Sequence, residues 1–217
     1  MASRLLRRSG VAVGLVSEML SWKADLVLQV GVGEAHEEAD VLIAEWGKEN
    51  VRFIGCEPHP RIYQSIKDRY PGTLYNVAIS DRVGDAVIHD KQRHIDGSSL
   101  YSIPDQPDCP QYTVKTTTLD TLFPNPEGEH ILLWLDCENS EFPALCGGEG
   151  FLERVEVINI ESSAKPNGEG WISPSVIYHW LAARGFYLQW CHTFRVHEAK
   201  YDSIYVHSHL FDPYCCC

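Results

Sequence analysis

The sequence predicts an α/β fold in which an open, doubly wound and mostly parallel β-sheet carries helices on both faces. Three observations support this prediction. Short apolar runs alternate with polar stretches of helical length, a glycine-rich turn follows the first apolar run, and an acidic residue ends the second. Parallel strands need a crossover connection between them, usually a helix, so this alternation is typical of such a sheet.

Eight runs rich in β-branched and aromatic residues are predicted to be strands. They cover Leu26–Val30, Val51–Cys56, Thr73–Ile79, Ala86–His89, Ile131–Asp136, Val155–Glu161, Phe186–Cys191 and Ser203–His207. Helices are predicted at Glu37–Gly47, Pro60–Tyr70, Glu141–Gly147 and Ser175–Arg184. We expect antiparallel strands at the C-terminal edge of the sheet.

Two segments show neither periodicity and are predicted to be loops, residues 91–112 and residues 123–130. A proline-interrupted loop as long as the first is more often a lid or a binding loop than a plain connection. We therefore expect substrate contacts in residues 91–112. The length of 217 residues and the 44% hydrophobic content predict one domain over residues 1–217.

The two ends of the chain are predicted to differ from this domain. Residues 1–24 are expected to form a helix on the sheet or, alternatively, an organelle-targeting segment, because they contain Arg and Ser and almost no acid. Residues 212–217 are expected to be a flexible cysteine-rich tail, with lipidation as the alternative. The absence of CxxC pairs indicates reduced thiols and a cytoplasmic location.

The composition limits the partners of the chain. Its formal charge is −12, and no cluster of Lys and Arg follows residue 8, so nucleic acid would be repelled. No run approaches the roughly 20 apolar residues that a membrane-spanning helix requires. We therefore expect a small-molecule or carbohydrate partner, no nucleic acid and no transmembrane segment, and the sequence predicts no particular oligomeric state.

The first strand leads into the glycine turn LVLQVGVGEAH, in which Gly31 and Gly33 follow Gln29 by two and four residues. Glycines let the backbone approach a ligand, and the next helix offers free N–H groups. The third glycine of the dinucleotide pattern is missing because His36 stands in its place, which disfavours a nicotinamide-dependent dehydrogenase. The turn is thus typical of a nucleotide-like ligand other than a dinucleotide.

Glu57 ends the second strand, where a carboxylate can accept hydrogen bonds from two ribose hydroxyls. The alternative is a solvated loop acid. Further on, Ala78, Ser80 and Asp81 follow a strand, and their small side chains are expected to flank an adenine ring, with a plain β-turn as the alternative.

A later strand, LLWLDCENSE, delivers Asp136, Glu138 and Glu141 to the same edge of the sheet, and Glu161 closes the next strand. Acids at this edge face the ligand cleft, where one of them can accept a proton. Alternatively, Glu138 and Glu141 only enrich a helix N-terminus. His94 in the long loop is the histidine best placed to act as a base.

The blocks VLQVGVGEAH, GCEPHP, NVAISDRVG, GSSL, TTTLDTL, LWLDCENSE and INIES, taken in order, resemble the successive motifs of the FkbM-type methyltransferases. That family has the Rossmann-like class I fold and uses S-adenosylmethionine. The resemblance covers roughly residues 26–162, and its specificity lies in the order and spacing of the blocks. It implies transfer of a methyl group to a hydroxyl of a small molecule or sugar.

By position, the resemblance implies that Gly31 and Gly33 line the methionine part of the cofactor, Glu57 holds the ribose, the segment Ala78–Asp81 lies by the adenine and Asp136 faces the reacting centre. Gln29 is expected to bond the ammonium group. The candidate bases are Asp136 and Glu138, with His94 as alternate. No metal site is predicted, although a divalent ion among the acids is an alternative without further support.

Three residues depart from the family pattern. Gln29 replaces an acid before the first glycine, Trp134 replaces a lysine before Asp136, and Asn139 replaces a glycine after Glu138. These departures motivate one alternative function, a non-catalytic methyltransferase-like binding module.

Overall fold

The computed structural model describes residues 18, 20–34, 37–92, 95–104, 106–125, 130–195 and 199–211. Its strands, in chain order, are β1 (Leu26–Val30), β2 (Arg52–Cys56), β3 (Thr73–Tyr75), β4 (Ala78–Ile79), β5 (Gly84–His89), β6 (Gln111–Thr117), β7 (Ile131–Leu135), β8 (Val155–Ser163), β9 (Phe186–Arg195) and β10 (Lys200–His207). Its α-helices are α1 (Glu37–Trp46), α2 (Pro60–Ile66), α3 (Leu119–Leu122), α4 (Glu141–Cys146), α5 (Glu149–Leu152) and α6 (Pro174–Ala182).

The main sheet has seven strands in the order β3-β2-β1-β7-β8-β10-β9. The pairs β1 with β2, β1 with β7, β2 with β3 and β7 with β8 are parallel. Strand β10 is antiparallel to both of its neighbours, β8 and β9. The predictions of a mostly parallel sheet and of antiparallel pairing towards the C-terminal edge are confirmed.

Apolar side chains cover both faces of this sheet. On one face, Leu42 and Trp46 of α1 pack in a cluster with Val27 of β1. On the other, Leu145 of α4 and Leu181 of α6 belong to a second cluster. The central strand β7 is buried along its whole length, which explains its unbroken apolar run. Helices on both faces were predicted, and this prediction is confirmed.

A second sheet, in the order β4-β6-β5, was not predicted. The predicted strand over residues 73–79 is in fact two strands, β3 and β4, which belong to different sheets. Between them the Asn76 side-chain amide donates to the backbone oxygens of Glu57 and Pro58, at 2.8 and 3.1 Å, and thereby separates the strands. Strand β6 begins at Gln111, so the predicted loop over residues 91–112 ends two residues earlier than expected.

The two ends of the chain contribute little to this description. Most of residues 1–24 and all of residues 212–217 lie outside the described residues, so the predictions for both segments stay predictions. Trp22 and Ala24 are described and lie buried beside the main sheet. Among the helices that the structure describes, none has the length and apolarity needed to cross a membrane.

Candidate active site

A cleft of about 900 Å³ opens at the carboxyl edge of the main sheet. The chain order reverses there, because β1 lies between β2 and β7, and ligands of open α/β sheets bind at such switch points. Residues at the ends of four strands line the cleft, namely Gly31, Glu57, Asp136 and Glu161. The glycine turn, Glu57, Asp136 and Glu161 therefore meet in one place.

The glycine turn fits tightly against the end of β7. Gly31 has a φ of +80°, and a Cβ atom there would lie 1.8 Å from the backbone oxygen of Asp136. The Gly31 N–H donates to the Cys56 oxygen at 3.0 Å, and the Asp136 N–H donates to the Val30 oxygen at 3.0 Å. A glycine is therefore required at position 31 to bring the two strand ends together.

Glu57 holds this turn from the side of β2. Its Oε2 accepts hydrogen bonds from the N–H groups of Val32 at 3.2 Å and Gly33 at 3.1 Å, and its Oε1 accepts one from His59 at 2.8 Å. Burial raises the pKa of Glu57 to about 7. The residue is 4% exposed, so it is not a solvated loop acid.

Gln29 lies behind the wall of the cleft and not in it. Its Nε2 donates to Glu38 Oε2 at 3.3 Å, and the Tyr70 hydroxyl donates to its Oε1 at 3.3 Å. Glu38, near the start of α1, does line the cleft. Glu38 is not predictable from the sequence pattern, since only the glycine turn before this helix has a recognisable motif.

The predicted adenine segment is divided between two environments. Ala78 and Ile79 form β4 and line the cleft. Beyond them, the Ser80 hydroxyl donates to Asp81 Oδ1 at 3.1 Å, and Asp81 faces Arg82 at 3.2 Å. Neither Ser80 nor Asp81 is among the described residues that line the cleft.

Three acids at the edge of β7 and β8 form a group that we call the carboxylate cluster. One carboxylate oxygen from each of Asp136, Glu138 and Glu161 lies within 4.8 Å of the others. Burial, together with the charges of Glu161 and Glu138, raises the pKa of Asp136 well above its usual range. Such raised values are typical of acids that take part in proton transfer.

Lys200, at the start of β10, reaches into this cluster. Its ammonium group donates to Glu138 Oε1 and Oε2, both at 2.9 Å, and to Glu161 Oε1. Burial alone would lower the pKa of Lys200, but the charges of Glu161, Glu138 and Asp136 outweigh it and raise that pKa. No sequence motif singles out Lys200.

The turn after β7 has an unusual backbone. Glu138 and Asn139 have φ angles of +48° and +78°, in the left-handed region. Asparagine tolerates this region better than most residues, which explains how this chain accommodates Asn139 where the family has glycine. Trp134, the other departure from the family on this strand, is buried and lines the floor of the cleft.

Glu141 belongs to this turn and does not line the main cleft. It is the first residue of α4, and its Oε1 accepts a hydrogen bond from the Cys137 N–H at 2.9 Å. Burial raises the pKa of Glu141 to about 7. Its contacts are those of a residue that stabilises the turn.

The outer wall of the cleft comes from the predicted substrate loop. Its described residues between 95 and 104 include Asp96, which accepts a hydrogen bond from the Glu34 N–H at 2.7 Å, and Ser99, whose hydroxyl donates to the backbone oxygen of Glu138 at 2.7 Å. A second loop, not predicted, adds Lys165, Pro166 and Asn167. His94 lies outside the described residues, so its role as a base stays a prediction.

The strand order, the glycine turn and the acid at the end of β2 are those of a class I methyltransferase. A family model described as the methyltransferase FkbM domain matches residues 29–188. The match covers most of the chain, which therefore belongs to the FkbM methyltransferase family. The resemblance that the sequence motifs suggested is confirmed.

Solved structures show the same fold at low identity. The plantazolicin methyltransferase BpumL, in complex with S-adenosylhomocysteine, is 8% identical with a TM-score of 0.53, over 94% of this chain and 84% of that one. The magnesium protoporphyrin IX methyltransferase from Synechocystis PCC 6803, with bound S-adenosylmethionine, is 9% identical with a TM-score of 0.50. That comparison covers 92% of this chain and 80% of that one.

A third structure is the 1,6-didemethyltoxoflavin-N1-methyltransferase from Burkholderia thailandensis, with bound 1,6-didemethyltoxoflavin and S-adenosylhomocysteine. It is 11% identical with a TM-score of 0.50, over 94% of this chain and 79% of that one. No curated protein sequence matches the chain. Family and fold together identify an S-adenosylmethionine-dependent methyltransferase.

Proposed function

We propose that this methyltransferase transfers the methyl group to a hydroxyl of a small molecule or sugar, with Asp136 as the base. The observation that carries the proposal is the position of Asp136. Its carboxyl lies in the cleft directly beyond the glycine turn, beside Glu138 and Glu161. In the described part of the chain, no side chain donates a hydrogen bond to it, so it is available to an acceptor hydroxyl.

The residues present fit S-adenosylmethionine. We assign the methionine part to the turn around Gly31 and Gly33, the ribose to Glu57 and the adenine to the apolar wall that includes Ala78 and Ile79. Gly31 keeps the backbone of the turn against the end of β7, and the Glu57 carboxylate, which already accepts three N–H bonds, keeps an acceptor site for a ribose hydroxyl. Ser80 and Asp81 then do not contact the adenine directly and instead stabilise the turn that follows β4.

Glu38 supplies the negative charge that Gln29 lacks. The Gln29 amide donates to Glu38, and Tyr70 fixes its orientation from the other side. We assign Glu38 to the cofactor ammonium group, with Gln29 as the residue that positions it. The loss of an acid at position 29 is therefore compensated by the nearby carboxylate of Glu38. The replacement of glycine by Asn139 is tolerated because asparagine can adopt the left-handed backbone conformation found there.

These compensations favour an active enzyme over the alternative of a non-catalytic binding module. When bound, S-adenosylmethionine supplies an electrophilic methyl group. The chain itself contributes positioning of the acceptor oxygen and removal of its proton. Asp136 accepts that proton when it is ionised, and the raised pKa of Asp136 makes its carboxylate a stronger base than an ordinary aspartate.

The cleft has room and polarity for a hydroxylated acceptor. Its volume of about 900 Å³ is near the upper end of the range of roughly 300 to 1,000 Å³ for ligand pockets, which suits a cofactor plus a small acceptor. Ser98, Ser102 and Asn167 add hydrogen-bonding groups at its mouth. The charge of −12 argues against nucleic acid as acceptor.

The cofactor assignment is tested by calorimetric titration with S-adenosylhomocysteine. We expect binding by the wild type, a large loss in Glu57→Gln and no change in Glu153→Gln, a matched change at an exposed position. Circular dichroism melts check that both variants fold. Unchanged binding by a folded Glu57→Gln protein would overturn the assignment of Glu57.

A panel of sugars and other small hydroxylated compounds then tests the acceptor class. Transfer from labelled S-adenosylmethionine is measured at saturating cofactor, with amine analogues of the same compounds as a control. Transfer to the hydroxylated compounds supports the proposal. Transfer only to the amine analogues would contradict it.

A further inference from the structure

The carboxylate cluster already contains a cation, the ammonium group of Lys200. An ammonium group has three N–H donors, and here they are directed at Glu138 Oε1, Glu138 Oε2 and Glu161 Oε1. The Lys200 side chain is 10% exposed, so little solvent screens these contacts. This is a closed arrangement and not a chance surface pairing.

The direction of β10 places Lys200 at this position. Because β10 runs antiparallel to β8, its first residue lies at the edge where β7 and β8 end. The Cα of Lys200 pairs with that of Ser163, the last residue of β8. A parallel strand at this place in the sheet would have brought its last residue to the cleft instead.

A divalent ion would have to use the same oxygens. Three carboxylates within 4.8 Å of one another are a suitable donor set for magnesium or calcium, which prefer oxygen ligands. The Lys200 nitrogen, however, lies 2.9 Å from both Glu138 oxygens, where such an ion would be bound. A second positive charge a few ångströms from the ammonium is strongly disfavoured in a partly buried site.

We propose that Lys200 is the resident cation of the carboxylate cluster, and that it takes the place of a divalent ion and positions Glu138 and Glu161. The oxygens of the two glutamates are thereby engaged by the ammonium group, and Asp136 is left as the carboxyl that faces the acceptor. Methyl transfer then needs no metal. The role of Asp136 towards the acceptor and the absence of a metal requirement rest on the proposed function. The occupation of the cluster by Lys200 does not.

Manganese binding tests the occupation without any methyl transfer. Mn²⁺ alone is titrated into the purified full chain, and bound ion is followed by electron paramagnetic resonance. We expect no stoichiometric binding by the wild type and at least about tenfold tighter binding by Lys200→Met, since three carboxylates then lack their cation. Lys115→Met, which removes an exposed lysine paired with Asp85, should behave as wild type.

Two results would overturn the proposal. One is stoichiometric Mn²⁺ binding by the wild type that Glu161→Gln abolishes, because the cluster would then be a metal site despite Lys200. The other is a folded Lys200→Met protein that binds no Mn²⁺. If Lys200→Met does not fold, the titrations of the wild type and of Glu161→Gln still show whether the cluster binds Mn²⁺ in the presence of Lys200.

Turnover tests the positioning role. We expect wild-type activity to survive chelation by EDTA, kcat to fall at least about tenfold in Lys200→Met with little change in KM for the cofactor, and Lys200→Arg to restore part of it. Loss of wild-type activity in EDTA would overturn the metal-free statement. Retained binding of S-adenosylhomocysteine by Lys200→Met separates this role from a failure of the cofactor assignment.

Discussion

The two ends of strand β8 carry one buried and one partly buried acid in opposite surroundings. Glu156, near its start, accepts hydrogen bonds from Trp22 at 2.5 Å, His130 at 2.8 Å and His209 at 2.9 Å. Burial alone would raise the pKa of Glu156, but the bonds from His209, Trp22 and His130 outweigh it and lower that pKa. At the other end, Glu161 lies in the carboxylate cluster, where the pKa of Asp136 is raised.

The acids at the two ends are therefore expected to contribute to different properties of the protein. Glu156 has a donor on every side and contributes to stability. Asp136 lies beside Glu138 and Glu161 and faces the cleft, an arrangement that is unfavourable for folding and favourable for proton transfer. Substitutions at the two ends are therefore expected to affect different properties.

The largest expected effect is on turnover, in Asp136→Asn. Loss of the proposed base should lower kcat by about 100- to 10,000-fold while binding of S-adenosylhomocysteine stays close to wild type. Rapid-quench measurement of a single turnover separates chemistry from product release. Near-normal turnover by this variant would move the base to Glu138 or His94.

The next largest effect is expected for Gly31→Ala. The new Cβ would lie 1.8 Å from the Asp136 oxygen, and the φ of +80° disfavours any side chain, so we expect a loss of about 3 kcal/mol or more in unfolding free energy. Urea denaturation measures this loss. Gly84→Ala, where nothing lies closer than 3.9 Å, is the matched control.

At the other end of β8, Glu156→Gln should cost about 1 to 3 kcal/mol in unfolding free energy and leave kcat unchanged, because three donors lose a charged acceptor far from the cleft. The lowered pKa of Glu156 means that its contribution is present above the ordinary value of 4.5 and is lost as the pH falls through its folded value. Thermal melts below pH 5 should therefore show a smaller acid destabilisation in the variant than in the wild type. Equal slopes would contradict this account.

The smallest expected effect is a slope in stability near neutral pH. Burial raises the pKa values of Glu57 and Glu141 to about 7, so between their ordinary value of 4.5 and 7 the folded protein binds more protons than the unfolded chain. The unfolding free energy should therefore fall as the pH rises from 5 to 7, on the order of 1 kcal/mol per group. Urea titrations at several pH values check this, and Glu141→Gln should reduce the slope.

Sequence patterns predicted the parts of the site that lie close to the end of a strand. Gly31, Glu57 and Asp136 all follow apolar runs directly, and parallel strands bring such residues to one edge. The main sheet was predictable for the same reason. The small sheet was not, because Asn76 divides a continuous β-like run between the two sheets. The helices α3 and α5 were not predicted either, because they have only four residues each.

The residues that were missed depend on contacts between distant segments. Lys200 is 62 residues from Glu138 and 39 from Glu161, and only the antiparallel direction of β10 brings them together. Glu38 belongs to a helix whose other acids do not differ from it in pattern. The placement of Gln29 behind the wall depends on Tyr70, 41 residues away.

The position of β10 also affects the order in which the sheet is completed. It lies between β8 and β9 in space but follows β9 in the chain, so during synthesis β9 emerges before the strand that it pairs with. Until β10 emerges, the acids of β7 and β8 lack the ammonium group of Lys200 and repel one another. The nascent chain can therefore assemble its first five main strands early, but the edge that carries the carboxylate cluster reaches its final charge only when the last strand inserts.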